Sequence, residues 1–207
     1  MPHFMKRPAI ISAHGLISGL RLKLPALLLA VGLGLALVQT AHAATLDVCQ
    51  PPGTCTYDTI QAAVNAATSG DTITIGAGTY VENVNVVNKS LIFQGAGSAA
   101  TIVDGGAADR VFASNTALTL ADMTVQNGRV NNNGGGIFAS GALALTNVIV
   151  YNNTTAAMAT IYTGGGAHTD STLTLSNTLF ISNTTGSNGG AAYATGVAIV
   201  SGGTFAQ

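Results

Sequence analysis

Six short units recur along the chain, each with two large apolar residues separated by one other residue. The units are Ile73/Ile75, Leu91/Phe93, Leu118/Leu120, Leu143/Leu145, Leu173/Leu175 and Val197/Ile199. Their first members follow one another at spacings of 18, 27, 25, 30 and 24 residues. Alternate residues of a strand share one face, so each unit predicts a short strand with both apolar side chains on one side. A period of about 25 residues is typical of a parallel β-solenoid, whose stacked coils bury a continuous core.

Residues suited to tight corners recur with the strands. The fifth position of the last four units holds Asp122, Asn147, Asn177 and Ser201. Glycine pairs precede the last three units at a fixed distance and are Gly135-Gly136, Gly165-Gly166 and Gly189-Gly190. Asn and Gly tolerate positive φ angles, and stacked Asn side chains can bond to each other. These positions are therefore predicted to form the corners of the coils.

Charge is scarce in this chain. Lys, Arg, Asp and Glu together make up 7% of its 207 residues, against about 25% in an ordinary globular domain. After residue 43 the bases are Lys89, Arg110 and Arg129, while all eight acids lie there. So few bases exclude a nucleic-acid-binding surface. A soluble helical bundle is also excluded, because its outer faces would need many charges.

Residues 1–43 are predicted to be a signal peptide. A basic segment precedes the 15-residue apolar run Leu24–Val38, and Ala41-His42-Ala43 then forms an A-x-A cleavage pattern. Such a signal would direct the chain out of the cell or to its surface, and cleavage between Ala43 and Ala44 would release the mature chain. The alternative is an uncleaved anchor, although the run is shorter than the roughly 20 residues that span a bilayer. No membrane span is predicted in the mature chain.

The next segment, residues 44–58, contains the only two cysteines, Cys49 and Cys55. A close pair in an exported protein favours a structural disulfide. A metal site would need more ligands, and a redox pair would usually be C-x-x-C, so both are less favoured alternatives. A short helix is expected over 59–68, with Asp58 as its N-cap and Ile60, Ala63, Val64 and Ala67 on its apolar face. This helix would cover the first coil.

Two segments resemble known families. Residues 59–105 resemble the N-terminal part of pectin-lyase-like parallel β-helix proteins. The coils from residue 118 onward resemble the GGA[ILV] and FxxN repeats of polymorphic outer membrane proteins. Phe180-Ile181-Ser182-Asn183 is a full FxxN, while Gly165-Gly166-Ala167 and Gly189-Gly190-Ala191 match the glycine motif in part. The resemblance implies an all-β, right-handed parallel β-helix of about six coils over residues 59–207. It does not imply catalysis, because the catalytic motifs of pectin methylesterases have no match here.

The C-terminal edge of the predicted solenoid has no capping variation. Terminal repeats normally carry one, so the β-helix domain is predicted to be incomplete and to continue in a longer protein. The alternative is that a partner chain covers the edge. In either case the last coil would pair with further coils or with another chain.

Few residues are candidates for chemistry. The residues between the paired apolar positions, expected to point outward, are Thr74, Ile92, Thr119, Ala144, Thr174 and Ala198. None of them can exchange a proton near neutral pH. The remaining candidates are Asp104, Asp109, Arg110, Asp122, His168 and Asp170. Asp104, Asp109 and Arg110 could form a calcium or substrate site, and His168 with Asp170 a dyad. Turn and surface roles are the favoured interpretation for all six, and no catalytic, metal or cofactor-binding residue is assigned.

The sequence thus favours an exported, non-catalytic β-helix module of the surface or passenger type. Adhesion is a candidate role, with a glycan or another cell-surface molecule as ligand. One alternative is the N-terminal fragment of a carbohydrate-active β-helix enzyme, such as a pectin methylesterase or a polysaccharide lyase. The other alternative is a structural spacer in a longer surface protein.

Overall fold

The apolar units form short strands that stack in parallel from coil to coil. The computed structural model describes residues 42–155 and 161–206, so the apolar run of the predicted signal peptide lies outside the described residues. The described chain is an all-β parallel solenoid of about six turns with one short helix. The predicted fold class is confirmed.

Eighteen strands and one helix lie within the described ranges. The strands are β1 (Thr45–Val48), β2 (Thr72–Ile75), β3 (Gly78–Val81), β4 (Val84–Val86), β5 (Leu91–Gly95), β6 (Thr101–Asp104), β7 (Phe112–Ser114), β8 (Leu118–Ala121), β9 (Thr124–Gln126), β10 (Arg129–Val130), β11 (Ile137–Ala139), β12 (Leu143–Thr146), β13 (Ile149–Tyr151), β14 (Thr154–Thr155), β15 (Ala167–Thr169), β16 (Leu173–Ile181), β17 (Ala192–Ala194) and β18 (Ala198–Ala206). The helix is α1 (Ile60–Ala66).

The strands of each coil belong to three parallel stacks. The first stack runs β1-β2-β5-β8-β12-β16, and the second runs β3-β6-β9-β13-β16. In the earlier coils, two separate strands meet at the corner between these stacks. In the last two coils, β16 and β18 each run through that corner as one long strand, so the two stacks join there. The third stack is β4-β7-β11-β15-β17, and β10 pairs with β14 at the corner before it.

The core is a column of apolar side chains in register. Leu143 pairs with Leu118 on one side and Leu173 on the other, and Leu145 lies in the same way between its counterparts. All of these leucines are buried. Stacking large side chains removes each from water, at about 1.5–3 kcal/mol per residue. The first five predicted units are therefore confirmed as inward-facing pairs.

The prediction for the sixth unit is wrong by one residue. Leu173 pairs with Ala198 and Leu175 with Val200, so Val197 and Ile199 do not occupy the inward register. Four consecutive apolar residues, 197–200, leave alternation unable to distinguish the two registers. In the last coil the outward residue in line with Thr174 is therefore Ile199, not the predicted Ala198. In the first coil β2 pairs with β5 so that Thr72 lies beside Ile92, while the predicted Thr74 faces outward in the neighbouring row. The outward row consists of Thr72, Ile92, Thr119, Ala144, Thr174 and Ile199.

Glycine triplets, rather than pairs, set this register. Gly134, Gly164 and Gly189 have φ angles of +70°, +68° and +68°. A Cβ at each would lie 2.2–2.4 Å from the carbonyl oxygen three residues ahead. The equivalent of Gly189 is thus Gly164, not the predicted Gly165. The third residue of the last triplet is Ala191, which hides the repeat in the sequence.

The corner between the first two stacks uses an Asx ladder. Asp122, Asn147 and Asn177 have φ angles of 55°, 53° and 47°. Asn147 Nδ2 donates to Asp122 Oδ1 at 2.9 Å. Asp122 therefore lies in a turn and accepts a hydrogen bond there, as predicted. In the last coil this position is held by Gly202, at +75°, instead of the predicted Ser201, because of the same shift of one residue. The next residue, Gly203, also has a positive φ, of +106°.

Helix α1 covers the first coil. Ile60, Ala63, Val64 and Ala67 are buried, as predicted, and the helix packs against β1, β2 and β4. The helix is shorter than predicted. Its N-cap is Thr59, whose Oγ1 accepts a hydrogen bond from the Ala62 N–H at 3.1 Å. The predicted N-cap, Asp58, instead accepts the Gly53 N–H at 2.6 Å. The Asp58 carboxylate is thus used by the preceding loop.

The segment before the helix belongs to the ladder. Strand β1 pairs in parallel with β2 along its whole length. The predicted disulfide Cys49–Cys55 is present, with Cα atoms 5.4 Å apart. It closes the loop that connects β1 to the segment leading into α1, so the loop, the strand and the helix form one cover on the first coil.

Candidate functional site

The outward row of the first stack carries no ionisable side chain among the residues described. The neighbouring row begins with Asp47 and continues with Thr74, Gln94, Ala121, Thr146, Ser176 and Ser201. Its one carboxylate, Asp47, accepts a hydrogen bond from Thr74 Oγ1. Acid–base chemistry on a sugar needs two carboxyl groups facing a common bond. These two rows do not provide such a pair.

Asp104 serves its own corner. Its carboxylate accepts hydrogen bonds from the Gly106 N–H at 2.8 Å, from Gln126 Nε2 at 2.7 Å and from Asn127 Nδ2 at 2.7 Å. Burial acts to raise the pKa of Asp104, but these three donors outweigh it, so the pKa lies below its usual value. A carboxylate satisfied by three donors has little need for a cation.

Asp109 and Arg110 point to different partners. Asp109 Oδ1 accepts the backbone N–H of Arg110 at 2.7 Å. The Arg110 guanidinium lies 5.1 Å from the ring centroid of Phe138, and its Nη2 donates to the Asn133 carbonyl at 3.0 Å. Desolvation lowers the pKa of Arg110, and the charge of Asp109 opposes that shift. The predicted cluster of Asp104, Asp109 and Arg110 is therefore divided between a corner and an aromatic contact.

His168 lies in a column of aromatic rings. Its ring stacks on Phe138 at 5.5 Å and on Tyr193 at 5.4 Å, with interplanar angles of 14° and 13°. The register pairs His168 with Phe138 of the preceding coil and with Tyr193 of the next one. His168 is 2% exposed. A ring held on both faces has little freedom to reorient.

Both ring nitrogens of His168 have partners. Nδ1 lies 2.8 Å from Thr163 Oγ1, and Nε2 lies 2.8 Å from Asp170 Oδ1. The predicted dyad of His168 and Asp170 is thus formed, and sequence reasoning missed the hydroxyl on its other side. Hydroxyl, imidazole and carboxylate in series are the parts of a nucleophilic triad.

A triad also needs donors for a developing oxyanion. The backbone N–H groups beside Thr163 already have acceptors. Thr163 N–H donates to Asn133 Oδ1, and the Gly164 and Gly165 N–H groups donate to the Asn188 and Gly189 carbonyls of the next coil. With these donors engaged, the series holds the 161–166 segment against β15.

A polar groove lies along the corner between the second and third stacks. We define this corner groove by Gly106, Ala107, Asn127, Gly128, Arg129, Asn152 and Thr154, which enclose about 380 Å³. A second depression of about 440 Å³ shares Ala107 and Arg129 with it and adds Ala108, Asp109, Val130 and Asn131. The groove therefore extends across successive coils.

Ladder contacts hold the groove floor. Asn152 Nδ2 donates to Asn127 Oδ1 at 2.7 Å, and Asn127 Nδ2 donates to Asp104. Asn127 and Asn152 have φ angles of 56° and 52°. Arg129 is exposed beside them. Sequence reasoning missed this site, although the dipeptides Asn127-Gly128 and Asn152-Asn153 mark its corners.

The same corner continues towards the C-terminal end. Thr154 forms a parallel bridge with Thr184. A further depression of about 500 Å³ there is lined by Ser182, Asn183, Thr184, Thr185, Ser187 and Gly190. Hydroxyl and amide groups thus line this corner over several coils.

No protein-family model matches the chain, and no curated protein matches it.

Within the described residues, no three His, Cys, Asp or Glu side chains come together as metal ligands. In the same part of the chain, no helix has both the length and the apolar character needed to cross a membrane.

Proposed function

We propose that the chain is an exported β-solenoid module of the surface or passenger type, which binds a glycan along the corner groove. The observation that carries this proposal is the corner groove, where amide, hydroxyl and guanidinium groups from successive coils face solvent together. Amides both donate and accept hydrogen bonds, and Arg donates several in one plane. Such groups match the hydroxyl groups and occasional carboxylates of a polysaccharide.

The proposal of export depends on the N-terminal sequence. The basic segment, the apolar run Leu24–Val38 and the A-x-A pattern before Ala44 are typical of a cleaved signal. The disulfide Cys49–Cys55 supports the same proposal, because disulfides persist chiefly outside the reducing cytosol.

A non-catalytic role is proposed because the candidate acids and bases have structural partners. Asp104 and Asp122 bond to the amides of neighbouring coils, and His168 is stacked and bonded on both nitrogens. One observation favours the enzyme alternative. It is the series Thr163, His168 and Asp170, which would act on an ester or a glycan if donors for an oxyanion became free.

The proposal is tested by glycan binding and turnover. The secreted chain is applied to a panel of immobilised plant and microbial polysaccharides, beside the variants Arg129→Ala and Thr119→Ala. Thr119 lies on the outward row of β8, away from the groove, and is the matched control. We expect binding that Arg129→Ala weakens about tenfold or more and that Thr119→Ala leaves unchanged.

The other outcomes separate the alternatives. Binding that both variants leave unchanged would place the ligand elsewhere and contradict the groove. No binding to any glycan would favour the spacer. Release of reducing or unsaturated ends from polygalacturonate, or of acid from an ester, would favour the enzyme. If turnover is seen, His168→Phe, which copies Phe138 of the preceding coil, should abolish it.

A further inference from the structure

Ala44 makes the first contacts of the described chain with the solenoid. The Ala44 N–H donates to Asp71 Oδ1 at 2.8 Å, and its carbonyl accepts the Thr72 N–H at 2.9 Å. His42 and Ala43 precede it and are exposed, and the His42 ring bonds only to the Ala43 carbonyl among the described contacts. The bond between Ala43 and Ala44 thus lies in an exposed segment directly outside the first ladder contact.

The side chain of Asp71 faces the Ala44 nitrogen. It is 4% exposed and lies directly before β2. Its Oδ2 accepts hydrogen bonds from the N–H and the hydroxyl of Thr68, at 2.7 and 2.9 Å, which leaves Oδ1 directed at the Ala44 nitrogen.

The electrostatic surroundings favour the ionised carboxylate. The backbone N–H groups of Thr68 and Ala44 lower the pKa of Asp71 against the opposing effect of burial, and Lys89 lowers it further. The Lys89 ammonium itself bonds the carbonyls of Val64 and Ala67 at the end of α1, at 2.9 and 2.7 Å. Lys89 is therefore bound elsewhere and does not neutralise Asp71 by direct contact.

We infer that Asp71 is the receptor for the new α-ammonium group of Ala44, so that removal of residues 1–43 locks strand β1 onto the first coil. This inference depends on the export proposed above. In the cleavage, a signal peptidase uses one water molecule: the Ala43 carbonyl carbon gains the hydroxyl and the Ala44 nitrogen gains the hydrogen. The amine then takes a proton from solvent at neutral pH, so a neutral N–H donor becomes an ammonium at the same position.

The consequence is a stronger contact at the end of the solenoid. In the precursor only the Asp71 carboxylate is charged, whereas after cleavage both partners of the hydrogen bond are ionised, so a Coulomb attraction between opposite charges is added to the contact. Because Asp71 is buried, salt screens this pair less than a surface pair. Strand β1, the disulfide loop and α1 all lie on the first coil, so tightening Ala44 stabilises the whole cover. The processed protein would resist unfolding better than its precursor.

The experiment compares free N-termini at two positions. Residues 44–207 are folded behind a recognition sequence for a site-specific protease, which replaces the residues before Ala44. The folded protein is then cut so that Ala44 becomes the N-terminal residue. The matched control is cut to leave His42 first, which keeps the native residues but moves the ammonium away from Asp71. Each product is made with Asp71 and with Asp71→Asn, and melting temperatures are measured. In parallel, the native chain is exported from a bacterial host and its N-terminus is read by mass spectrometry.

We expect the Ala44 product to melt about 2–4 °C above the His42 product, and Asp71→Asn to remove that difference. Equal melting temperatures, or a difference that survives Asp71→Asn, would overturn the inference even if the exported chain begins at Ala44. An exported chain with another N-terminus would overturn it together with the cleavage position, while the protease-cut products would still report on the contact. A retained, uncut chain would refute the export itself.

Discussion

Asn153 gives the sharpest test of how the corners are held. Its side chain is fully buried. Oδ1 accepts the Gly128 N–H at 2.8 Å, and Nδ2 donates to the Val125 carbonyl at 3.1 Å and to Asn183 Oδ1 at 3.0 Å. One amide thus connects three successive coils. Asn153→Ala would remove all three contacts and leave the buried Gly128 N–H without its acceptor.

The expected cost follows from those contacts. A buried donor left unpaired costs about 1–3 kcal/mol, and each of the two other hydrogen bonds contributes about 1 kcal/mol. Asn153→Ala should therefore lower the free energy of unfolding by roughly 3–5 kcal/mol, a large share of the 5–15 kcal/mol that stabilises a typical protein. Urea unfolding followed by circular dichroism measures this change through the midpoint and slope.

The neighbouring residue supplies the control. Asn152 is exposed and has a φ of 52°, and its side chain bonds only Asn127 among the described contacts. Asn152→Gly keeps the positive φ accessible and should cost less than about 1 kcal/mol. If Asn153→Ala and Asn152→Gly differ by less than 1 kcal/mol, the buried amide does not hold the coils together and the reasoning is refuted.

Two further predictions concern glycine and acid. Gly165→Ala should destabilise strongly or prevent folding, because its Cβ would lie 2.4 Å from the Thr184 carbonyl oxygen and 2.5 Å from that of Gly190. The control is Gly190→Ala, at the same position one coil later, where no atom lies nearer than 3.3 Å to the added Cβ. This control should melt within a few degrees of the parent protein, and equal effects of the two substitutions would contradict the packing argument. The lowered pKa values of Asp71 and Asp104 predict acid sensitivity, since their contribution to stability is complete above the unfolded carboxyl pKa of about 3.9 and is lost as the pH falls through the lower folded values. Urea midpoints between pH 7 and pH 2 should fall over that window and fall less in Asp104→Asn; a flat profile would refute the assignment.

The sequence predicted the coils wherever large and small residues alternate clearly. Leu118–Thr119–Leu120 and Leu173–Thr174–Leu175 permit one register only, because a slip of one residue would bury the threonine and expose both leucines. The run Val197–Val200 has no such polar marker, so the last coil was misaligned by one residue. The glycine triplets decide it, through the positive φ of their first member.

The candidate site was harder to predict, for a different reason. The groove brings Arg129 close to Asp109 and Asn152, residues of neighbouring coils whose lengths differ. Corner loops vary in length from coil to coil, so spacing along the sequence does not report which loop residues meet. Strand residues, by contrast, are fixed by the ladder. The contact between Thr163 and His168 is not predictable from the sequence for the same reason, because Thr163 lies in a loop whose position the strand spacing does not determine.

The parallel ladder also explains why so few residues are charged. In a register where equivalent positions lie about 4.8 Å apart, two like charges would repel by roughly 3 kcal/mol at an effective dielectric of 20. Each carboxylate in the described ladders instead has amides or hydroxyls as neighbours: Asp47 has Thr74, Asp104 has Asn127, and Asp122 has Asn147. Stacking thus disfavours like charges at equivalent positions of adjacent coils. A catalytic pair of acids on adjacent coils would have to overcome this repulsion, so such a pair would indicate chemistry more strongly in this architecture than in most others.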